Sequence, residues 1–263
     1  MEIIAPNRSM GRTTTSMNFL VTAGNTLTLI DRVRCITNIF TGRTGAAIAI
    51  EARRRRHSVH LLTSHPETVA ALVDGNPLAG AGWVVQRYRT FEELRDCLRE
   101  AVTTLPIDAV VHCAAVNDYL NAGVYVPASG TCFDPTTSQW TGDPPTLLDR
   151  AAGKIRSDAP ELWLRLVRAP KLIDQFRDDW KFNGVLVKFK LEVERTDQEL
   201  LDIAEQSRCQ SRADLMVANT LEGADEYAYL GAGQGGYQRV TRRELPTALI
   251  EQIEQLHELR RGE

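Results

Sequence analysis

The chain of 263 residues contains no apolar run near the roughly 20 residues a membrane-spanning helix requires, so no membrane partner is expected. It also lacks an excess of either charge. Its 31 basic and 34 acidic residues leave a net −3, so no global basic field would draw it to nucleic acid. Its five cysteines, at 35, 97, 113, 132 and 209, are odd in number and form no CxxC pair. That argues against a disulfide framework or a zinc ribbon and fits a reducing cytoplasm. The opening MEIIAPNRSMGRTTTS lacks the apolar core of a signal peptide and gives way abruptly to an apolar strand at Met17. Residues 1–16 therefore read as a flexible extension and 17–263 as one domain. There is no internal repeat. A dinucleotide fingerprint is missing where it would be needed: Gly231–Gly236 matches GxGxxG but lies near the C-terminus between the β-like runs YAYL and YQRVT, and reads as a hairpin turn.

What is present is an alternation of short apolar runs with helical ones. Strands are predicted at Asn18–Ala23, Ser58–Thr63, Trp83–Arg89, Asp108–Ala115, Leu162–Val167, Gly184–Glu192 and Leu215–Ala218. Helices are predicted at Gly42–Arg56, Pro66–Leu72, Phe91–Val102, Asp197–Gln210 and Glu244–Arg261. Continuous apolar strands between helices imply a mostly parallel sheet covered on both faces, a Rossmann-like doubly wound α/β fold with a C-terminal β-hairpin and helix. Ligands of such sheets sit at the carboxyl ends of the strands, which directs attention to the loops after Ala23, Ala115, Glu192 and Ala218. One stretch breaks the rhythm. Residues 119–153, with Pro127, Gly130, Pro135, Gly142, Pro144 and Pro145, show no clear periodicity and read as a long loop insertion. A loop of that length on the ligand side is a lid, a mobile insertion or an oligomer contact.

Four constellations carry candidate chemistry. VTAGNT, Val21–Thr26, ends a strand in small and polar residues whose backbone N–H groups either form a nest for phosphate or merely turn the chain. In Asp31–Ala49, Thr41-Gly42-Arg43-Thr44-Gly45 precedes a helix. Its backbone donors and the helix dipole suit an anion, with Arg34 and Arg43 adding charge and Asn38 an amide; the alternative is an ordinary cap with solvated arginines. In His112–Leu120, the Ala114–Ala115 pair leaves room for a ligand and Asp118 offers an acceptor, whereas His112 fits a hydrogen-bonded core histidine better. In GKIRS, Lys154 beside Gly153 either swings over a phosphate or is a surface lysine.

The order TAGNT, IDRVRCITNIFTGRTGAAIA, HCAAVNDY, GKIRS, APKLI, VKFKLE, ADLMVAN resembles the phosphopantothenate–cysteine ligase family, the synthetase half of the bifunctional coenzyme A biosynthesis flavoprotein. The resemblance runs from about Met17 to Asn219, and Ile30–Ala49 is its most specific part. It implies a stand-alone cytoplasmic synthetase without flavin, using Mg²⁺ and CTP or ATP to join 4'-phosphopantothenate to cysteine through an acyl-nucleotide. It also implies a homodimer whose sites combine both protomers. By resemblance, Asn38 and Lys154 are catalytic. Arg34, Asn38, Thr41, Gly42, Arg43, Gly45 and Ala115 bind the acid substrate. Gly24, Asn25, Thr26, Cys113, Ala114, Asp118, Lys154 and Phe189 bind the nucleotide.

The sequence departs from that family at several points. Gly24-Asn25-Thr26 stands for Gly-Gly-Thr, and Thr28 for Glu. Two helix lysines of bacterial members are matched by Ser207 and Ser211. Arg208 and Arg212, one residue later, are the candidate replacements in the nucleotide site, although one residue rotates a helical side chain by about 100°. Two competing functions follow: a related ligase with another acid or amine, or a non-catalytic nucleotide- or phosphometabolite-binding homologue.

Overall fold

The computed structural model describes residues 15–73, 80–232 and 236–262. Strand β1 (Asn18–Ala23) is followed by a small antiparallel arm, β2 (Leu27–Leu29) and β3 (Cys35–Thr37). Then come α1 (Arg43–Arg54), β4 (Ser58–Thr63), α2 (Pro66–Leu72), β5 (Trp83–Arg87), α3 (Phe91–Thr104) and β6 (Ala109–His112). A second, wholly β excursion holds β7 (Tyr119–Pro127), β8 (Cys132–Asp134), β9 (Gln139–Thr141), β10 (Leu147–Asp149) and β11 (Trp163–Arg168). The chain returns through α4 (Leu172–Asp178), β12 (Val185–Glu192), α5 (Asp197–Gln210) and β13 (Leu215–Thr220). It ends in the hairpin β14 (Tyr227–Gly231) and β15 (Tyr237–Thr241) and in α6 (Leu245–Gly262).

The main sheet has the order β15-β14-β13-β12-β6-β1-β4-β5, with its six core strands parallel and the hairpin antiparallel at one edge. Alternate residues of each strand feed two cores, as a parallel sheet buried on both faces requires. Phe19, Val21, Val111 and Val187 pack with Ile48 of α1 and Leu249 of α6; Leu20, Val110 and Leu186 pack with Leu94 of α3 and Phe176 of α4. Helices α3 and α5 begin where Thr90 and Thr196 form capping boxes with Glu93 and Glu199. The doubly wound fold with its C-terminal hairpin and helix is thus present. The tip of that hairpin, within the rejected GxGxxG match, lies outside the described residues, as does most of the expected extension at 1–16.

The reading of 119–153 as a structureless loop is corrected. The chain there forms a three-stranded antiparallel sheet, β10-β7-β11, with the hairpin β8-β9 beyond it. Its prolines and glycines fall mostly between the strands, and the strands are half-exposed, so no apolar period shows. Phe133, Trp140 and Trp163 cluster with ring centroids 4.6–5.3 Å apart and hold the hairpin against β11.

The strand order reverses between β1 and β6, which opens a crevice at their carboxyl ends. There α1 meets the sheet through glycines. A Cβ on Gly42 would lie 2.2 Å from the Gly24 nitrogen, and one on Gly45 would lie 2.8 Å from the Thr22 carbonyl and the Ala23 Cβ. We expect Gly45→Ala to lower stability by about 1–3 kcal/mol through overpacking. Alanine in a helix otherwise stabilises relative to glycine, so a raised urea midpoint would contradict the close approach.

Candidate functional site

Beyond the ends of β1 and β6 the two chains stay paired. Ala115 donates its N–H to the Gly24 carbonyl at 2.8 Å, and its own carbonyl accepts the Thr26 N–H at 3.2 Å. Onto this junction folds a net of amides. The Asn25 N–H meets Ser64 Oγ at 2.9 Å, and Asn25 Nδ2 donates to the Asn38 carbonyl at 2.6 Å. Asn38 Nδ2 donates to the Ala115 carbonyl at 3.1 Å and to Asn117 Oδ1 at 3.0 Å. Asn117 in turn donates its N–H to Thr26 Oγ1 and its Nδ2 to Thr28 Oγ1. Gly24, Asn25, Thr26, Asn38 and Ala115 are therefore brought together. Asn38 Oδ1 alone in this net has no partner among the described residues, an acceptor left for a ligand N–H or O–H. Sequence reading missed Asn117 and Ser64. Asn117 lay one residue from Asp118, whereas Ser64 gave no signal at all.

Beside the net is the N-terminus of α1. Gly42 caps it in a left-handed conformation with no side-chain hydrogen bond, which leaves first-turn N–H groups for an anion. Thr41 and Arg43 are exposed there. Arg242, a third residue the sequence reading missed, is partly buried and donates to Thr44 Oγ1. Burial pushes the Cys113 thiol up to about 12, so it stands at this end as a neutral group and not as a nucleophile.

A cleft opens on the other side of β6, lined by His112, Ala114, Asp118, Lys171, Lys188 and Phe189, among others. His112 and Lys188 are register partners on β6 and β12. Thr22 Oγ1 accepts the Ala114 N–H at 3.0 Å and lies within hydrogen-bond distance, 3.2 Å, of His112 Nδ1. Burial, aided by the Lys188 charge, pulls His112 down to about 4. Lys188 Nζ donates to the Ser207 carbonyl and to Ser211 Oγ, both at 2.9 Å. It stands against the two helix positions where the resemblance leads one to expect lysines. Arg208 is instead forked onto Glu205 and bonded to the Ala213 carbonyl, and Arg212 pairs with Asp178; neither lines this cleft.

Lys154 is elsewhere. Asp31, with a fully buried side chain, binds Arg34 at 2.6 Å and accepts the Ile155 N–H at 3.1 Å, while Arg34 Nη2 donates to the Ile155 carbonyl at 2.8 Å. The Arg32 N–H meets the Gly153 carbonyl at 3.1 Å. The Arg34 guanidinium, with the Ile155 and Val33 N–H groups, holds the Asp31 carboxyl far below the usual range. Arg34 thus braces the Lys154 segment, and its charge is already matched. The Lys154 side chain is exposed and lines shallow depressions with residues 155–158, away from Asp118. Among the described residues no cluster of three or more His, Cys, Asp or Glu has the makings of a metal site. No helix among them is long and apolar enough to cross a membrane.

Comparison with known proteins bears on this arrangement. Residues 14–125 match the family model for the DNA/pantothenate metabolism flavoprotein C-terminal domain. The chain is 30% identical over 242 residues to the coenzyme A biosynthesis bifunctional protein CoaBC of Thermococcus kodakarensis, covering 90% of this chain and 51% of that one. The corresponding protein of Methanocaldococcus jannaschii is 22% identical over 203 residues, 77% of this chain and 40% of that one. The chain spans about half the length, or less, of these curated relatives. The crystal structure of the DNA/pantothenate metabolism flavoprotein from Streptococcus pneumoniae superposes with a TM-score of 0.71 at 26% identity, covering 92% of this chain and all of that one. A Cab2 mutant in complex with phosphopantothenate-cysteine shares the fold, with a TM-score of 0.64 at 16% identity over 92% of this chain and 86% of that one.

His112 yields a test of the cleft. A histidine kept neutral at about 4 when folded, but titrating near 6.5 when unfolded, destabilises the fold as pH falls from 6.5 to 4, because the unfolded chain takes up the proton first. The loss reaches about 3 kcal/mol at the low end. The difference in urea stability between wild type and His112→Gln should change by that amount over this window; parallel pH profiles would show that His112 is not held neutral.

Proposed function

Residues 14–125 match the family model of the DNA/pantothenate metabolism flavoprotein C-terminal domain, and from that premise we propose that the chain joins 4'-phosphopantothenate to cysteine at the expense of CTP or ATP. The observation that carries the reading is the junction of β1 and β6. There the Asn25–Asn38–Ala115–Asn117 net, the open N-terminus of α1 and the lysine-bearing cleft lie side by side, each built from segments in the order of the family.

A carboxylate is a poor acyl donor because its leaving group would be oxide. In the first half-reaction a carboxylate oxygen of phosphopantothenate attacks the α-phosphorus of the nucleotide, and pyrophosphate leaves. In the second, the cysteine amine attacks the acyl carbon, loses a proton and expels the nucleoside monophosphate. The protein need not supply a nucleophile. It aligns the two reactants and neutralises charge at the phosphates. Lys154 and the cleft serve the first step. Asn38, with Oδ1 unengaged, positions the acid for the second. Magnesium enters with the triphosphate as part of the substrate.

The proposed unit is a homodimer with sites shared between copies. Apolar side chains on the two arms support it: Val33 and Ile39 are 68% and 86% exposed on the stretch that carries Asn38, and Leu147, Leu148 and Leu166 are exposed on the β excursion. Exposed apolar side chains on both segments suit a surface for another chain.

Mass spectrometry of products after incubation with phosphopantothenate, cysteine and CTP or ATP tests the activity; absence of the amide product with every nucleotide overturns it. Lys154→Ala should slow pyrophosphate release by about 10²-fold or more, the size of one lost charge-stabilising contact. Asn38→Asp should let the acyl-nucleotide accumulate, and full turnover in that variant would remove Asn38 from its role.

A further inference from the structure

We propose that Lys188 holds the phosphate chain of the nucleotide in the cleft between β6 and β12. The inference rests on the ligase reading and adds a binding residue to it. Lys188 follows Val185, Leu186 and Val187, each fully buried, on a central parallel strand, and is itself only 8% exposed. A core strand would ordinarily continue with an apolar residue. An ammonium there carries a desolvation penalty that only good partners offset.

The partners present are neutral. Two of the three N–H bonds go to the Ser207 carbonyl and Ser211 Oγ, at the last turn of α5, where the helix dipole favours a cation. No carboxylate forms an ion pair with Lys188 among the described residues. One N–H is left to the cleft, and the charge has no ion-pair partner among these residues, with only the Coulombic effect of Asp174 on α4 opposing it. Lys171, at the start of α4, adds a second cation, while Lys190 is already paired with Glu192. His112 alongside is neutral, so it adds no competing charge. Against this stand Asp118 in the cleft and Asp174 on α4, the latter favouring the charged lysine. Burial pulls Lys188 down to about 8, so it is mostly charged at neutral pH and poised to be held charged by an anion. If Lys188 served only to cap α5, a neutral donor would do so without the cost of burying an ion.

The test compares wild type, Lys188→Met and Lys188→Arg by calorimetry with magnesium CTP or ATP, with the matching nucleoside, and with phosphopantothenate. Lys188→Met should weaken triphosphate binding at least tenfold while changing nucleoside and phosphopantothenate binding less than threefold. Lys188→Arg should restore triphosphate affinity to within about threefold. Equal weakening of triphosphate and nucleoside, or a lowered melting temperature with unchanged triphosphate affinity, overturns the inference. Should the methionine variant fail to fold, the arginine variant decides. Wild-type affinity for the triphosphate should fall several-fold from pH 7 to 9, and the arginine variant's should not. The other titratable groups facing Lys188 are His112, which burial keeps neutral, and Asp118, Asp174, Lys171 and Lys190. Parallel profiles overturn it. Product formation that is indifferent to Lys188 sinks this inference alone, whereas Lys188-dependent binding without acyl-nucleotide sinks the ligase reading alone.

Discussion

Ala115 both donates to Gly24 and accepts from Thr26, so the chains of β1 and β6 pair once more, at an isolated parallel bridge between Asn25 and Ala115 past the last regular pair Thr22–His112, before they part. Everything at the candidate site is hung from that extra pair. It fixes the backbone from which Asn25 reaches Asn38, and it presents the carbonyl that Asn38 grips. The approach of α1 depends on it too, since Gly42 lies against Gly24 with no room for a side chain between them. The site is therefore a property of the strand-order reversal. A crevice opens where one crossover leaves on each side of the sheet, and the residues just past the strand ends become its walls.

The buried charges of the fold fall into two groups. Asp31 is matched by Arg34. Glu254 is matched by Arg55 and hydrogen-bonded by His57, and Asp214 by Arg177 and Arg260. Each of these ties segments together: the arm to the Lys154 segment, α1 to α6, α4 and α6 to the strand ends. Lys188 differs because its partners are a carbonyl and a hydroxyl. Structural ion pairs neutralise themselves, and a charge without an ion-pair partner inside a cleft is what a binding site for an oppositely charged ligand requires.

The sheet was legible because its strands are continuous apolar runs with helices between them. Asn18–Ala23, Ser58–Thr63, Pro66–Leu72 and Asp197–Gln210 stand where the pattern places them. The β excursion was not legible, since its strands are largely exposed or half-exposed on both faces and so carry no strong alternation, and its Pro and Gly punctuation looks like loop. Lys188 was hidden for the opposite reason. In VKFKLE two lysines alternate with apolar residues, which reads as the edge of a strand, and only the register with His112 and the placement of α5 show that one of them is buried. Arg208 and Arg212 illustrate the limit of matching by neighbourhood: on a helix the adjacent position points to another surface, and there each finds an acidic partner.

Lys154 poses the remaining structural problem. Its backbone is anchored on both sides, through Gly153 to Arg32 and through Ile155 to Asp31 and Arg34, while its side chain is exposed and apart from the Asp118 cleft. A lysine meant to meet a nucleotide in its own chain's cleft would not be pinned elsewhere by a fully buried aspartate. Pinning makes sense if the arm and the β excursion together form a rigid face that carries Lys154 to a second copy. The exposed Val33, Ile36 and Ile39 lie on that arm, and Leu147, Leu148 and Leu166 on that excursion. Apolar area and the Lys154 cation would then be delivered by one surface, so that assembly of the proposed dimer and completion of its proposed site would be a single event.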